Sequence, residues 1–131
     1  MKIRPASSDD LSMILAIENL TNQIPWTKEQ FISSVEVGHY SVVLESQEGV
    51  LGFAIYSPIV PESHLLNIAI APNHQGHGLG RKLLQKVIMQ NKILGVKSIT
   101  LEVRVSNNSA ISLYESEGFV KDAIRPNYYS G

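Results

Sequence analysis

A strand that runs into a glycine-rich turn and then a helix constrains this chain more than any other feature. The apolar run Leu65-Leu66-Asn67-Ile68-Ala69-Ile70-Ala71 reads as a buried strand. Pro72-Asn73-His74 turns the chain, and Gln75-Gly76-His77-Gly78-Leu79-Gly80-Arg81 follows. Beyond it Leu83, Leu84, Val87 and Ile88 fall on one helical face. Such a turn exposes backbone N–H groups, its glycines allow close approach, and the positive end of the helix dipole favours an anion. The segment therefore predicts a phosphate cradle, against the plainer alternative of a turn that binds nothing. Two nucleotide motifs are excluded by spacing. A dinucleotide fingerprint G-x-G-x-x-G starting at Gly76 needs glycine where Arg81 stands. A Walker A loop needs a Gly-Lys pair, and the chain has none. What remains is Q-x-x-G-x-G, carried by Gln75, Gly78 and Gly80.

At 131 residues the sequence predicts one domain over 1–131, large enough to bury a single core. No apolar run approaches the roughly 20 residues that cross a bilayer, and Met1-Lys2-Ile3-Arg4-Pro5 lacks a signal-peptide core. Cysteine is absent, which removes disulfides, a thiolate nucleophile and cysteine-bound metal. A cytoplasmic protein without membrane contact is the natural expectation. The net charge of −1 supplies no general field for nucleic acid.

Along the chain, Lys2-Ile3-Arg4 predicts a short strand. Ser7 or Ser8 caps a helix with Asp9 and Asp10 in its first turn and Leu11, Ile14 and Leu15 on its buried face, Glu18 stepping on from them. Thr27 and Gln30 have capping-box spacing and open a second helix to about Val37, with Phe31 and Val35 on one side. Tyr40 to Leu44 and Val50 to Ile55 form a hairpin across Gln47-Glu48-Gly49, and Pro58 and Pro61 mark a loop. After the cradle, Gly95 ends its helix, Ser98 to Val103 is β-rich, and Asn107 or Asn108 caps a helix carrying Ile111, Leu113 and Tyr114. Gly118 ends that helix and Phe119-Val120 begins a final extended piece. Hairpins beside crossover pairs predict an α/β or α+β architecture, a mixed sheet with helices on both faces.

Q-x-x-G-x-G is the pyrophosphate signature of the GNAT acyl-CoA N-acetyltransferases, and the chain resembles that superfamily. Three further stretches carry the resemblance: Leu101-Glu102-Val103-Arg104-Val105-Ser106-Asn107, Ala110-Ile111-Ser112-Leu113-Tyr114 through Gly118-Phe119, and Pro25-Trp26-Thr27. With the terminal Arg125-Pro126-Asn127-Tyr128-Tyr129, they look most like the RimI-type ribosomal-protein alanine N-acetyltransferases, from Ile3 to Tyr129. The resemblance implies a GNAT fold with a mostly antiparallel sheet, and acetyl-CoA as the donor. The acceptor would be a protein or peptide N-terminus, plausibly the alanine of a small-subunit ribosomal protein. Ile68, Ala69 and Ile70 would pair their backbone with the pantetheine arm. Gln75, Gly76, His77, Gly78, Leu79, Gly80 and Arg81 would hold the pyrophosphate, and Asn107 the cofactor arm. Glu102 matches the general base, Tyr114 the general acid, and Trp26 a substrate-side wall.

The chemistry is consistent with those residue types. An attacking amine must be neutral, and an α-amine has a pKa of about 7.7–8.0 against about 10.4 for lysine. Deprotonating lysine at neutral pH costs roughly 3–4 kcal/mol more, so a modest carboxylate base suits the α-amine. A tyrosine hydroxyl within reach of the departing sulfur can supply its proton, and a strand N–H near Ile70 can stabilise charge on the thioester oxygen. Each residue also has a plainer reading. Glu102 can be a solvent-facing strand residue, Tyr114 and Trp26 core packing, Arg81 and Lys82 solvated helix charges. His74 and His77 lack a third ligand nearby, so no metal is expected.

Two departures from the resemblance stand out. Some relatives carry a basic residue where Gly76 stands. Relatives also continue past Tyr128-Tyr129 with a strand that inserts beside the fifth, which predicts a sheet completed by a partner chain, as in a homodimer, or a shortened enzyme. The alternative functions are a GNAT enzyme acting on lysine, a polyamine or another small amine, and a non-catalytic acyl-CoA-binding module.

Overall fold

The computed structural model describes residues 1–102 and 124–125. Six strands form one sheet in sequence order: β1 (Lys2–Pro5), β2 (Tyr40–Ser46), β3 (Gly49–Ile59), β4 (Glu62–Ile70), β5 (Ser98–Glu102) and β6 (Ile124–Arg125). The pairs from β1 to β4 are antiparallel, and β4–β5 and β5–β6 are parallel. Three helices accompany them: α1 (Leu11–Thr21), α2 (Lys28–Glu36) and α3 (Leu79–Ile93), with short 3-10 turns at Ser8–Asp10 and Pro72–His74. This is the mixed, mostly antiparallel sheet with helices on both faces that the sequence predicts.

Burial is two-sided because the sheet lies between helical layers. On one face Leu79, Leu83, Leu84 and Val87 of α3 pack with Val42, Leu44, Leu51, Ala54, Tyr56, Leu65 and Ile70. On the other, Ile14 and Ile17 of α1 and Phe31 of α2 pack with Val43, Val50, Phe53 and Ile55. Side chains on a strand alternate between faces, but this alternation breaks twice. Leu44 pairs with Gly52 and Glu45 with Val50, so Leu51 is an extra residue in β3. Ile55 pairs with Asn67 and Tyr56 with Leu65, so Leu66 is an extra residue in β4. Each bulge resets which face the following residues take.

The caps are as the spacing requires. Gln30 N–H donates to Thr27 Oγ1 at 3.2 Å while Thr27 N–H donates to Gln30 Oε1 at 2.7 Å. Gly95 follows α3 at φ +92°, a left-handed position that suits glycine. Three local expectations are corrected. The Pro58–Pro61 loop is instead strand as far as Ile59, closed by a tight turn into β4 at Glu62. Pro58 lies beyond the last β2 partner, Tyr40↔Tyr56, where its missing N–H leaves no ladder bond to β2 unmade. On α2, Val35 is exposed and Ser34 is buried beside Phe31, its hydroxyl 2.7 Å from His39 Nδ1. The buried row follows i, i+3 rather than i, i+4. On α1 the fully buried positions are Ile14, Ile17 and Glu18, while Leu11 and Leu15 are half-buried. The helix expected after Asn107 and the extended piece at Phe119-Val120 lie outside the described residues.

Candidate active site

Among the described residues the pairing of β4 with β5 covers Glu62↔Ser98 to Leu65↔Leu101. From Leu66 onward β4 keeps β3 on one side, Asn67 to Ile70 pairing with Ile55 to Gly52, but among the described residues it has no strand on the other. Leu66 to Ala69 are half-buried. Strand backbone groups facing such an opening need a partner, and an extended ligand arm can supply one. Ile68, Ala69 and Ile70 sit on this stretch, as the sequence predicts.

β4 delivers the chain directly to the cradle. After the Pro72–His74 turn come Gly76 at φ +83° and Gly78 at φ +79°. A Cβ at either would meet nothing within 4 Å, so these glycines serve backbone conformation and leave open space above it. Gly78 is the N-cap of α3 and has no side chain to offer the first-turn N–H groups, which lack carbonyls one turn back. Donors from Leu79, Gly80 and Arg81 therefore stand at the positive end of a 15-residue helix. That arrangement fits a diphosphate.

Not every predicted cradle residue faces outward in the same role. Gln75 Nε2 donates to the Ile70 carbonyl at 2.9 Å, so this side chain fastens the turn to the end of β4. Leu79 is buried in the core beneath the helix. His77 is exposed, whereas His74 is half-buried with Nε2 3.0 Å from Glu48 Oε2, bracing the turn against the β2–β3 hairpin. Lys82 lines a cleft of about 240 Å³ with Met1, Lys2, Ile3, Leu44 and Lys86, toward the β1 edge of the sheet rather than toward β5. Among the described residues no group of three or more His, Asp or Glu gathers as a metal site.

Glu102 lies one residue past the last β4–β5 pair among the described residues, its backbone paired with Arg125 of β6. Tyr114 and Asn107 lie outside the described residues. Trp26 is half-buried between α1 and α2, its ring 5.1 Å from Phe31, which in turn stacks edge-on to Phe53 at 5.8 Å. Trp26 is thus packed against the core, the plainer of its two readings.

The sequence reading passed over two residues that join these parts. Glu18 is fully buried, and Asn67 donates to it from β4 at 3.1 Å. The signal was present in each: a carboxylate four residues after Ile14 on an apolar helix face, and an amide inside an apolar strand.

Comparison with known proteins agrees with this geometry. The family model described as "Acetyltransferase (GNAT) family" matches residues 9–119. The [ribosomal protein bS18]-alanine N-acetyltransferase of Escherichia coli strain K12 is 38% identical over 127 residues, which cover 97% of this chain and 86% of that protein. The protein of the same name from Salmonella typhimurium is 38% identical over 123 residues, 94% of this chain and 83% of its own. The crystal structure of the ribosomal-protein-S18-alanine N-acetyltransferase from Escherichia coli superposes with a TM-score of 0.85 at 36% identity, over 91% of this chain and 77% of that one.

Proposed function

The chain belongs to the acetyltransferase (GNAT) family, and from that premise we propose that it acetylates the N-terminal α-amine of a protein, the alanine of a small-subunit ribosomal protein. It is an acetyl-CoA-dependent N-acetyltransferase. What supports the acceptor is the 38% identity, across 97% of the chain, to an enzyme named for that alanine. What supports the donor is the β4 edge beyond Leu65, which has no neighbouring strand among the described residues on that side, beside the Gly78-capped N-terminus of α3.

Acetyl-CoA supplies an activated acetyl group to this cleft. The open edge of β4 at Ile68, Ala69 and Ile70 would hold the extended arm, and the N–H groups from Gly76 to Arg81 the pyrophosphate. Glu102, through water, would take the proton that an α-ammonium must lose. Tyr114 would hold the proton destined for the sulfur, and Asn107 would bind the arm. Trp26 would wall the acceptor side. The cytoplasm, where nascent ribosomal proteins are found, is the compartment this reading assigns.

Mass spectrometry of a panel of alanine-ended ribosomal peptides, lysine peptides and polyamines tests the acceptor. Acetylation at the alanine α-nitrogen is expected. Transfer to lysine or polyamine alone would make it a different GNAT enzyme, and donor binding without transfer to any amine would make it a binding module. Glu102→Gln is expected to lower turnover about a hundredfold or more and steepen its pH dependence with donor affinity kept, and Tyr114→Phe to slow the step similarly. Sedimentation of the same material distinguishes a monomer from a homodimer.

A further inference from the structure

Glu18 is an ionisable side chain with no exposed surface, and no step described above uses it. It lies in α1, yet its carboxylate joins three segments. Oε2 accepts from the Trp26 backbone N–H at 2.9 Å and from Asn22 Nδ2 at 3.2 Å. Oε1 accepts from Asn67 Nδ2 at 3.1 Å. All three donors are uncharged N–H groups, matched by an acceptor-only carboxylate. Burying such a group is costly unless its lone pairs are satisfied, so the network either holds as a whole or fails as a whole.

The bulge in β4 is what makes this contact. Leu65 packs on the α3 face and Leu66 on the α1 face. Beyond the extra residue the phase has changed, with Ile68 on the α3 face and Ala69 on the α1 face. Asn67 therefore points to α1, as Leu66 does. Without the extra residue, simple alternation would turn Asn67 toward α3 and away from Glu18. The contact also falls just beyond Leu65↔Leu101, the last β4–β5 pair among the described residues.

We propose that Glu18 is a positioning residue that fixes the Trp26 loop against β4, and so sets the acceptor wall in register with the donor strand. The proposal rests on the acceptor role assigned to Trp26 above. Trp26 is the sole tryptophan of the chain, so its fluorescence reports the loop directly and needs no turnover. Glu18→Ala is expected to shift Trp26 emission to the red and to raise acrylamide quenching at least about twofold. It should raise the acceptor-peptide KM about tenfold, the loss of one or two buried hydrogen bonds, with the acetyl-CoA Kd within about twofold. Glu18→Gln should restore all three readings. Its carbonyl can accept the two N–H groups now on Oε2, and the Asn67 amide can turn over to accept its N–H. Asn67→Ala cuts only the β4 side and should move quenching and KM in the same direction as Glu18→Ala. If Glu18→Ala does not fold, Asn67→Ala is judged alone by the same readings. Unchanged Trp26 quenching in the folded variants overturns the proposal, as does an acetyl-CoA Kd that worsens in step with the acceptor KM. Should the protein acetylate no N-terminal alanine, the acceptor assignment falls, while the fluorescence still decides whether Glu18 holds the loop.

Discussion

Asp10 shows how one side chain can secure a sheet edge. Arg4 of β1 donates to both of its oxygens, at 2.8 and 2.9 Å, and to both oxygens of Glu45 on β2, at 3.2 and 3.0 Å. The Ser7 N–H adds a third bond to Asp10 at 2.8 Å. The Arg4 hydrogen bond, against the opposing effect of burial, pulls the Asp10 carboxyl down to about 2 from its ordinary 3.8, and the same guanidinium lowers Glu45. A group whose folded pKa is depressed stabilises the fold above its unfolded pKa and loses that contribution as pH falls through the folded one. Asp10→Asn is therefore expected to destabilise the protein at neutral pH by about 1–3 kcal/mol, lowering Tm by roughly 3–10 °C. Thermal melts across pH should show the gap to the wild type closing between about pH 4 and pH 2. A gap that stays constant over that range would remove the carboxylate from the explanation. Of this cluster the sequence revealed only that Asp9 and Asp10 open a helix. Which aspartate is buried depends on Arg4 and Glu45, residues 41 apart in the chain that meet only once β1 pairs with β2.

Glycines separate two demands at the level of elements. Gly52 in β3 faces Ile70 in β4, and a Cβ there would lie 2.5 Å from Ile70 Cδ1 and 2.9 Å from the Ala69 carbonyl oxygen. The side chain can yield but the backbone oxygen cannot, so Gly52→Ala should force β3 and β4 apart at the end of β4, the strand proposed to hold the donor arm. Gly78 has open space around it but a φ of +79°, so Gly78→Ala meets conformational strain alone, about 1–2 kcal/mol. Gly52→Ala is expected to lower Tm and acetyl-CoA affinity together, by at least about 2 kcal/mol in stability from overpacking against backbone. Gly78→Ala should weaken acetyl-CoA with a smaller change in melting. Equal behaviour of the two variants in calorimetry and melts would contradict this division. Gly78 was legible because its turn sits between a clear strand and a clear helix. Gly52 was not, because the unbroken run Val50 to Tyr56 is buried on both faces and hides the bulge at Leu51 that sets its direction. The same ambiguity concealed Leu66, and with it the route by which Asn67 reaches Glu18. Val35 was misplaced for another reason: on a nine-residue helix, i+3 and i+4 rows are nearly indistinguishable from sequence, and packing under Phe31 chose Ser34.

At the scale of the whole molecule, the strand–turn–helix segment was readable because local chemistry alone dictates it, and the two-sided core followed from near-continuous apolar strands. The last β4–β5 pair among the described residues was not readable, since the extent of a parallel pairing does not depend on any residue type. The proposed donor site uses the edge of β4 and the N-terminus of α3, while the two apolar clusters on either face of the sheet are already buried without a ligand. Donor binding is therefore expected to stabilise the fold by mass action rather than to create it. Coenzyme A at about a hundred times its Kd should add about 2.7 kcal/mol, raising Tm by roughly 6–10 °C. An anion gripped at the α3 terminus at the surface would make the shift shrink as salt is raised. Pantetheine, which keeps the arm and lacks the diphosphate, should give a much smaller shift at the same concentration. An equal shift from pantetheine would place the binding energy in the strand edge and leave the glycine turn without its assigned role.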